Sequence, residues 1–282
     1  MEKKKSFWRG LGIALLYILL FFAAQIIFSF AVSMIGAIIL AKKDPSVLDS
    51  LDVEKLMGSE FFGAMELWGL IIGEAALILI LFIFFWATKK NPFKKFEINP
   101  VSPLTVILSI ITGFSINLFV GSVLDMLPIP QAMNDEYDTA FDAIYKTPAW
   151  LIILGIGIIG PICEEIIFRG GVMNALRREG NAPVAIILSG LVFGLVHLIP
   201  IQVMYAAFIG IVLGIIFHTT KSLIPTIIIH IVNNIISSYT AQLFGWTSKF
   251  LLLTVIVTGI ITTVCVVLMA VIEKKRKYAL AR

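Results

Sequence analysis

Residues 148–176 read PAWLIILGIGIIGPICEEIIFRGGVMNAL. The stretch is longer than the about 20 apolar residues that carry a helix across a bilayer, and its only ionisable side chains are Glu164, Glu165 and Arg169. It reads as a transmembrane helix with a charged cluster inside it. The rest of the chain has the same character. Of its 282 residues, 59% are hydrophobic and 14% charged, with a mean hydropathy of +0.99; soluble chains run at about 45–50% apolar and about 25% charged. A soluble fold of this length could not hide so much apolar surface. The expected fold is all-α, a polytopic membrane protein forming a single membrane domain over residues 1–282.

Working outward from 148–176, candidate spans fall at 8–40, 60–88, 101–128, 148–176, 182–199, 201–219, 222–244 and 248–272, about eight transmembrane helices in all. An even number puts both termini on one side. With that side inside, the inner ends and loops hold Lys3, Lys4, Lys5, Arg9, Lys89, Lys90, Lys94, Lys95, Arg177, Arg178, Lys221, Lys274, Lys275, Arg276, Lys277 and Arg282. The outer loops hold only Lys42, Lys43, Lys55, Lys146 and Lys249, so the positive-inside rule places the N- and C-termini in the cytoplasm. The two long outer loops are acidic, with Asp44, Asp49, Asp52 and Glu54 in one and Asp135, Glu136, Asp138 and Asp142 in the other. The second, roughly 129–147, is expected to carry a short surface helix around Tyr137–Tyr145. The N-terminal apolar run is too long for the core of a signal peptide and reads as a retained first helix. Cys163 and Cys265 both lie in apolar stretches, which argues against a disulfide framework. The net charge is +4, and no basic groove with interleaved aromatics points to nucleic acid.

Ionisable groups deep in a span are costly and therefore mark candidate functional sites. They are Glu66, Glu74, Glu164, Glu165, Arg169, His197 and His230, with Asn233 and Asn234 nearby; His218, at a span end, reads as interfacial. Glu165 and Arg169 are four apart and can pair on one helix face, leaving the Glu164 carboxylate free. Taken singly, the cluster could be a structural ion-pair network, and His197, His230 or Asn234 could hydrogen-bond a neighbouring helix. Their depths argue otherwise. At 1.5 Å rise per residue, Glu164 lies roughly 20 Å from Arg177, His197 roughly 21 Å from Pro183, Asn234 roughly 18 Å and His230 roughly 12 Å from Ser222. Three helices thus bring a carboxylate, two imidazoles and a carboxamide to a similar level, as an active site requires.

Together these groups can hydrolyse an amide. A carboxylate held away from bulk water can act as general base toward a water molecule. His and Asn donors can stabilise the oxyanion that forms, and His197 can share the water or pass the proton to the leaving amine. Other chemistries fit less well. HExxH is absent, although a zinc ion held by Glu164, His197 and His230 remains an open alternative. Cys163 beside Glu164 reads as a small buried residue, and the deep serines, Ser189 among them, lack a nucleophile motif. Glu74 is expected to face the bundle, with Arg169 as a candidate partner.

The three polar segments resemble the motifs of the CPBP intramembrane proteases, which group type II CAAX prenyl endopeptidases with bacteriocin-processing and self-immunity proteins, the Abi family. The pattern EExxxR, FxxxH, HxxxN appears here as Glu164, Glu165 and Arg169; Phe193 and His197; His230 and Asn234. The resemblance covers roughly 145–240. It implies a conical helical bundle around a water-filled intramembrane cavity and a water activated by Glu164. It further implies that His197 lies beside that glutamate, that His230 and Asn234 form the oxyanion hole, and that Glu165 and Arg169 support them, without a required cofactor.

The function expected from residues and resemblance is an intramembrane endopeptidase acting on small membrane-associated peptides or proteins, with its site reached from the inside face. A non-proteolytic bacteriocin-immunity or regulatory protein that binds a membrane partner, such as a sensor kinase, is the alternative. Intramembrane Glu and His also build proton-coupled carriers, but no inverted repeat supports that reading. Lipid and a peptide or small membrane-protein substrate are the expected partners, and the compact loops suit a bacterial cytoplasmic membrane.

Overall fold

A computed structural model describes residues 7–43, 59–238 and 249–280, and these fold into helices joined by short turns. Lys3, Lys4, Lys5, Lys55, Arg282, the acidic residues Asp44, Asp49, Asp52 and Glu54, and the end of the expected 222–244 span lie outside the described residues. The helices are α1 (Phe7–Lys43), α2 (Glu60–Ala87), the short α3 (Pro92–Lys95), α4 (Pro103–Met126), α5 (Gln131–Tyr145), α6 (Ala149–Glu179), α7 (Ala182–Leu195), α8 (Pro200–Thr220), α9 (Leu223–Ser237) and α10 (Leu251–Leu280).

Six of the eight expected spans are long and apolar enough to cross a membrane: α1, α2, α4, α6, α8 and α10. The other two, α7 and α9, are shorter apolar helices. At 1.5 Å per residue α7 is only about 21 Å long, against a hydrocarbon core of about 30 Å. Apolar content alone made 182–199 look like a full span, because the turn after α7 is itself apolar. Val196 caps the helix, Leu198 takes a left-handed φ of 65°, and Pro200 opens α8. The helix expected around Tyr137–Tyr145 is present as α5, whose Asp135, Glu136, Asp138 and Asp142 are exposed.

The expected span 148–176 is one continuous helix, α6, with two wide π-helical stretches, Ile153–Ile159 and Glu165–Met173, on either side of Gly160–Glu164. Wide turns of this kind favour functional sites. They also shorten the rise per residue, so the 20 Å depth of Glu164 taken from an ideal helix is too large. Every residue from Glu165 to Met173 is buried, which makes α6 the central helix. Around it, Phe21, Phe85, Phe96, Phe168, Phe193 and Phe217 are buried in a shared apolar core with Ile167, Met173 and Leu223.

Contacts gather the basic helix ends at one end of the bundle. Arg177 pairs with Glu97 at 2.6 Å, Arg9 lies 3.9 Å from Glu179, Lys277 donates to the Thr220 carbonyl at 2.7 Å, and Arg276 donates to the Pro100 carbonyl at 2.6 Å. Lys221 caps α8 there in a left-handed conformation, and burial together with Arg177 lowers the pKa of its ammonium. The opposite end carries α5, the α7–α8 turn and the C-terminus of α9.

Candidate active site

The EExxxR segment lies where the narrow turn Gly160–Glu164 passes into the wide turn that starts at Glu165. Glu165 is fully buried and pairs with Arg169, Nη1 lying 2.8 Å from Oε1. The sequence expectation for this pair is met. The same Oε1 lies 3.0 Å from His230 Nδ1. Arg169 also donates to the Gly210 carbonyl at 3.2 Å, and its guanidinium stacks over the Phe193 ring, 4.3 Å from the centroid. A buried charge demands partners of this kind, since an isolated one costs several kcal/mol. The Glu165–Arg169 pair therefore ties α6 to α8 and α9.

Phe193 explains the first letter of the FxxxH motif. Its ring meets His197 edge-on at 5.0 Å, His230 at 5.6 Å and Phe168 at 5.2 Å. One aromatic ring thus spaces both imidazoles and covers the arginine. His197 lies just beyond the end of α7, where its Nδ1 is 2.8 Å from the Phe193 carbonyl. A carbonyl only accepts, so Nδ1 carries the proton of the neutral ring and Nε2 presents a lone pair.

Glu164 lies on the cavity side of the helix, with Oε2 3.5 Å from His230 Nε2. His230 therefore stands between two glutamates, one locked by arginine and one facing the cavity. When the ring carries both protons, Nδ1–H donates to Glu165 and Nε2–H is directed toward Glu164. Asn234 donates one amide proton to the Ile156 carbonyl at 3.0 Å, and Asn233 donates to Asn234 Oδ1 at 3.1 Å. These two bonds fix the plane of the Asn234 amide and leave its second N–H unassigned. Asn233 is itself held by Asn117 on α4, which donates to its carbonyl at 3.2 Å.

Glu164, His197, His230 and Asn234 line one cavity of about 320 Å³, a volume typical of ligand sites. The structure thus brings together the groups that depth alone placed at one level. Glu74 also lines it, but its expected pairing with Arg169 is not found. Arg169 is committed to Glu165 and Gly210, and Glu74 accepts from Gln25 Nε2 at 3.2 Å. Depth does not fix the rotation of α2, and that rotation turns Glu74 to the cavity rather than to the arginine. Leu70 and Glu66, one and two turns nearer the start of α2, share its face of the cavity.

The cavity is bounded by Tyr137, Phe141 and Tyr145 of α5, by Gln202 and Tyr205 of α8, and by Ser237 and Ser238 after α9. All belong to the end of the bundle opposite Arg177 and Lys221. The cavity therefore lies away from the basic end: both short helices, α7 and α9, end at it and leave room for it on the α5 side. Tyr137 and Tyr145 flank Phe141 in an aromatic stack, with ring centroids 4.8 and 5.6 Å away. Burial raises the pKa of both hydroxyls, reinforced at Tyr137 by Tyr205 and at Tyr145 by Tyr137, so both stay protonated at neutral pH and can donate at the mouth. Gln25, Gln202 and the tyrosines carried no sequence signal, because single amides and hydroxyls are common in membrane helices. Among the described residues, no group of three His, Cys, Asp or Glu side chains has the geometry to hold a metal ion.

Fold and cavity define a class: a multi-pass α-helical membrane protein whose helices enclose a chamber of carboxylate, imidazole and carboxamide. Residues 146–236 match the family model of the type II CAAX prenyl endopeptidases, Rce1-like, which bears out the resemblance carried by the three motifs. The chain is also similar to "Putative membrane peptidase YdiL" of Bacillus subtilis (strain 168), at 27% identity over 175 residues, covering 61% of this chain and 70% of that protein. It is similar to "UPF0177 protein YbdJ" of Lactococcus lactis subsp. lactis (strain IL1403), at 27% identity over 181 residues, covering 62% of this chain and 77% of that one. No solved structure matches the chain. These similarities support a membrane protease.

Proposed function

We propose that the chain is an intramembrane endopeptidase of glutamic type, cleaving small membrane-associated peptides or proteins. The observation that carries this reading is the Glu164 carboxylate facing a cavity that also holds His197, His230 and Asn234. Glu164 takes a proton from water as the water oxygen bonds to the scissile carbonyl carbon. His197 Nε2, free to accept, holds the other proton of that water. The oxyanion is met by the second amide proton of Asn234 and, when the ring carries both protons, by His230 Nε2–H, a contribution of the kind worth roughly 3–4 kcal/mol per donor. Glu165 and Arg169 keep His230 in place. No metal enters this scheme.

The chain passes the membrane eight times in this reading, α7 and α9 being short passes that end at the cavity. Both termini and the basic end lie in the cytoplasm of a bacterial cell membrane, by the positive-inside rule. The mouth under α5 then faces outward, toward peptides that have reached the outer leaflet.

The test compares membrane-associated peptides in cells carrying the wild type or Glu164→Gln, with chelator added in a parallel arm on purified protein. Uncleaved peptides should accumulate with the variant, which should still insert and reach wild-type levels, and chelation should leave the rate unchanged. Full activity of Glu164→Gln would remove the mechanism. Loss on chelation reversed by zinc would favour a metal enzyme, and a phenotype fully restored by the variant would favour a partner-binding role.

A further inference from the structure

Glu74 is unexplained by the three motifs. It lies on α2, outside the matched residues 146–236, yet it is 1% exposed and lines the same cavity as Glu164. One of its oxygens accepts from Gln25; the other, Oε2, is buried with no hydrogen-bond partner. A β-carbon on Gly160 would lie 3.6 Å from that Oε2. Gly160 and Glu164 are four apart on one helical turn and share a face, so the free Glu74 oxygen lies about one turn from the catalytic carboxylate. The two carboxyl groups interact electrostatically.

We propose that Glu74 is a second catalytic carboxyl group, the general acid that protonates the leaving amine. The inference rests on the peptidase reading above and deepens it. Two carboxylates facing one low-dielectric chamber hold a shared proton at less cost than two charges. In the resting pair Glu164 is the base and Glu74 holds the proton. The water O–H bond breaks to Glu164 and the new C–O bond forms. When the C–N bond breaks, the amine nitrogen takes the proton from Glu74. Transfer of the water-derived proton from Glu164 to Glu74 restores the pair, and the balance is peptide plus water to acid plus amine. His197 is a poor donor for this step, because its Nδ1–H is spent on the Phe193 carbonyl. Gln25 on α1 orients the Glu74 carboxyl.

The test uses the full chain in detergent, with a farnesylated CAAX-type peptide as amide probe and its thioester analogue, sulfur replacing the scissile N–H. Glu74→Gln keeps the oxygen that accepts from Gln25 but has no proton to give. The expected result is a fall in kcat on the amide of about 10²–10⁴-fold, with KM little changed. The thioester, whose thiolate leaves without protonation, should lose less than about tenfold, since only the acid role is removed. A purely structural role would depress both probes alike, and that result, or no loss on the amide, overturns the proposal. Infrared spectra supply a readout that needs no substrate: the C=O stretch of a protonated carboxyl should be present in the wild type at neutral pH and lost in Glu74→Gln. A band unchanged in that variant overturns the shared proton. If the wild type cleaves neither probe while the band behaves as expected, the general-acid role falls with the peptidase reading and the carboxyl pair stands.

Discussion

Leu198 shows how much local strain surrounds the His197 imidazole. Ile199 N–H donates to the His197 carbonyl at 2.8 Å, and Leu198 between them has φ 65°. That is a three-residue turn of the rare, strained hand, adopted by a large residue that is 76% exposed. A left-handed conformation costs a non-glycine residue roughly 1–2 kcal/mol, and strain of this kind persists where the surroundings fix it, often at functional sites. Glycine would remove the strain while adding about 0.5–1 kcal/mol of backbone entropy to be lost on folding. Leu198→Gly should therefore leave thermal stability within about 1 kcal/mol of wild type. Leu198→Val, β-branched and poorly suited to positive φ, should lower the unfolding midpoint and peptide cleavage together. Equal midpoints for the two variants would show that the turn carries no strain. Nothing in the sequence marks Leu198, which reads as one more apolar residue in an apolar run. The motif residues were legible for the opposite reason: Glu164, Glu165, Arg169, His197, His230 and Asn234 are polar where polarity is costly, and cost is visible without coordinates. Their contacts were only half legible. Spacing within a helix gave the Glu165–Arg169 pair, whereas Glu74 meeting Gln25 depends on how α1 and α2 are rotated.

The α7–α8 hairpin presents His197 to the cavity, and its position rests on close backbone approach. A β-carbon on Gly190 would lie 2.7 Å from the Ile211 backbone nitrogen, and one on Gly210 would lie 3.0 Å from the Gly190 α-carbon. Small residues at such crossings let membrane helices pack closely where lipid gives no hydrophobic drive. The Gly210 carbonyl also accepts from Arg169, so the same crossing connects the hairpin to the glutamate helix. Gly190→Val should force the helices apart at an overpacking cost of about 1–3 kcal/mol and abolish most cleavage by shifting His197 and Phe193. Gly12→Ala is the control: a β-carbon there meets nothing within 4 Å, and stability should hold or rise by about 0.5–1 kcal/mol. Thermal unfolding and peptidase assays on both variants decide it; a Gly190→Val protein as active as Gly12→Ala would mean that the crossing does not position the site. At this scale the sequence was read correctly for existence and type of helix and too generously for length. Hydropathy counts apolar residues, and a turn built from Val196, Leu198 and Ile199 counts the same as a helix. The wide turns of α6 were equally invisible, since no residue type requires them, and they change which side chains of 153–173 face the cavity.

At the scale of the whole molecule, the two ends of the bundle differ in charge, and that difference decides from which side a substrate arrives. Arg177, Lys221, Arg276 and Lys277 meet at one end, where Arg177 pairs with Glu97, Arg276 pairs with Glu273 and donates to the Pro100 carbonyl, and Lys277 donates to the Thr220 carbonyl that closes α8. The cavity lies toward the other end, under a helix whose outer face shows Asp135, Glu136, Asp138 and Asp142. Lys and Arg are retained on the cytoplasmic side during insertion while acidic residues have little effect on orientation. The α5 end, and with it the cavity mouth, should therefore face away from the cytoplasm. Both native cysteines are buried, so an introduced thiol can report orientation over a low background. Thr139→Cys, exposed on α5, should react with a membrane-impermeant maleimide in intact cells. Lys275→Cys, exposed near the end of α10, should react only after the membrane is opened. The reverse pattern would place the mouth on the cytoplasmic side, and peptides delivered from within the cell would become the substrates to look for.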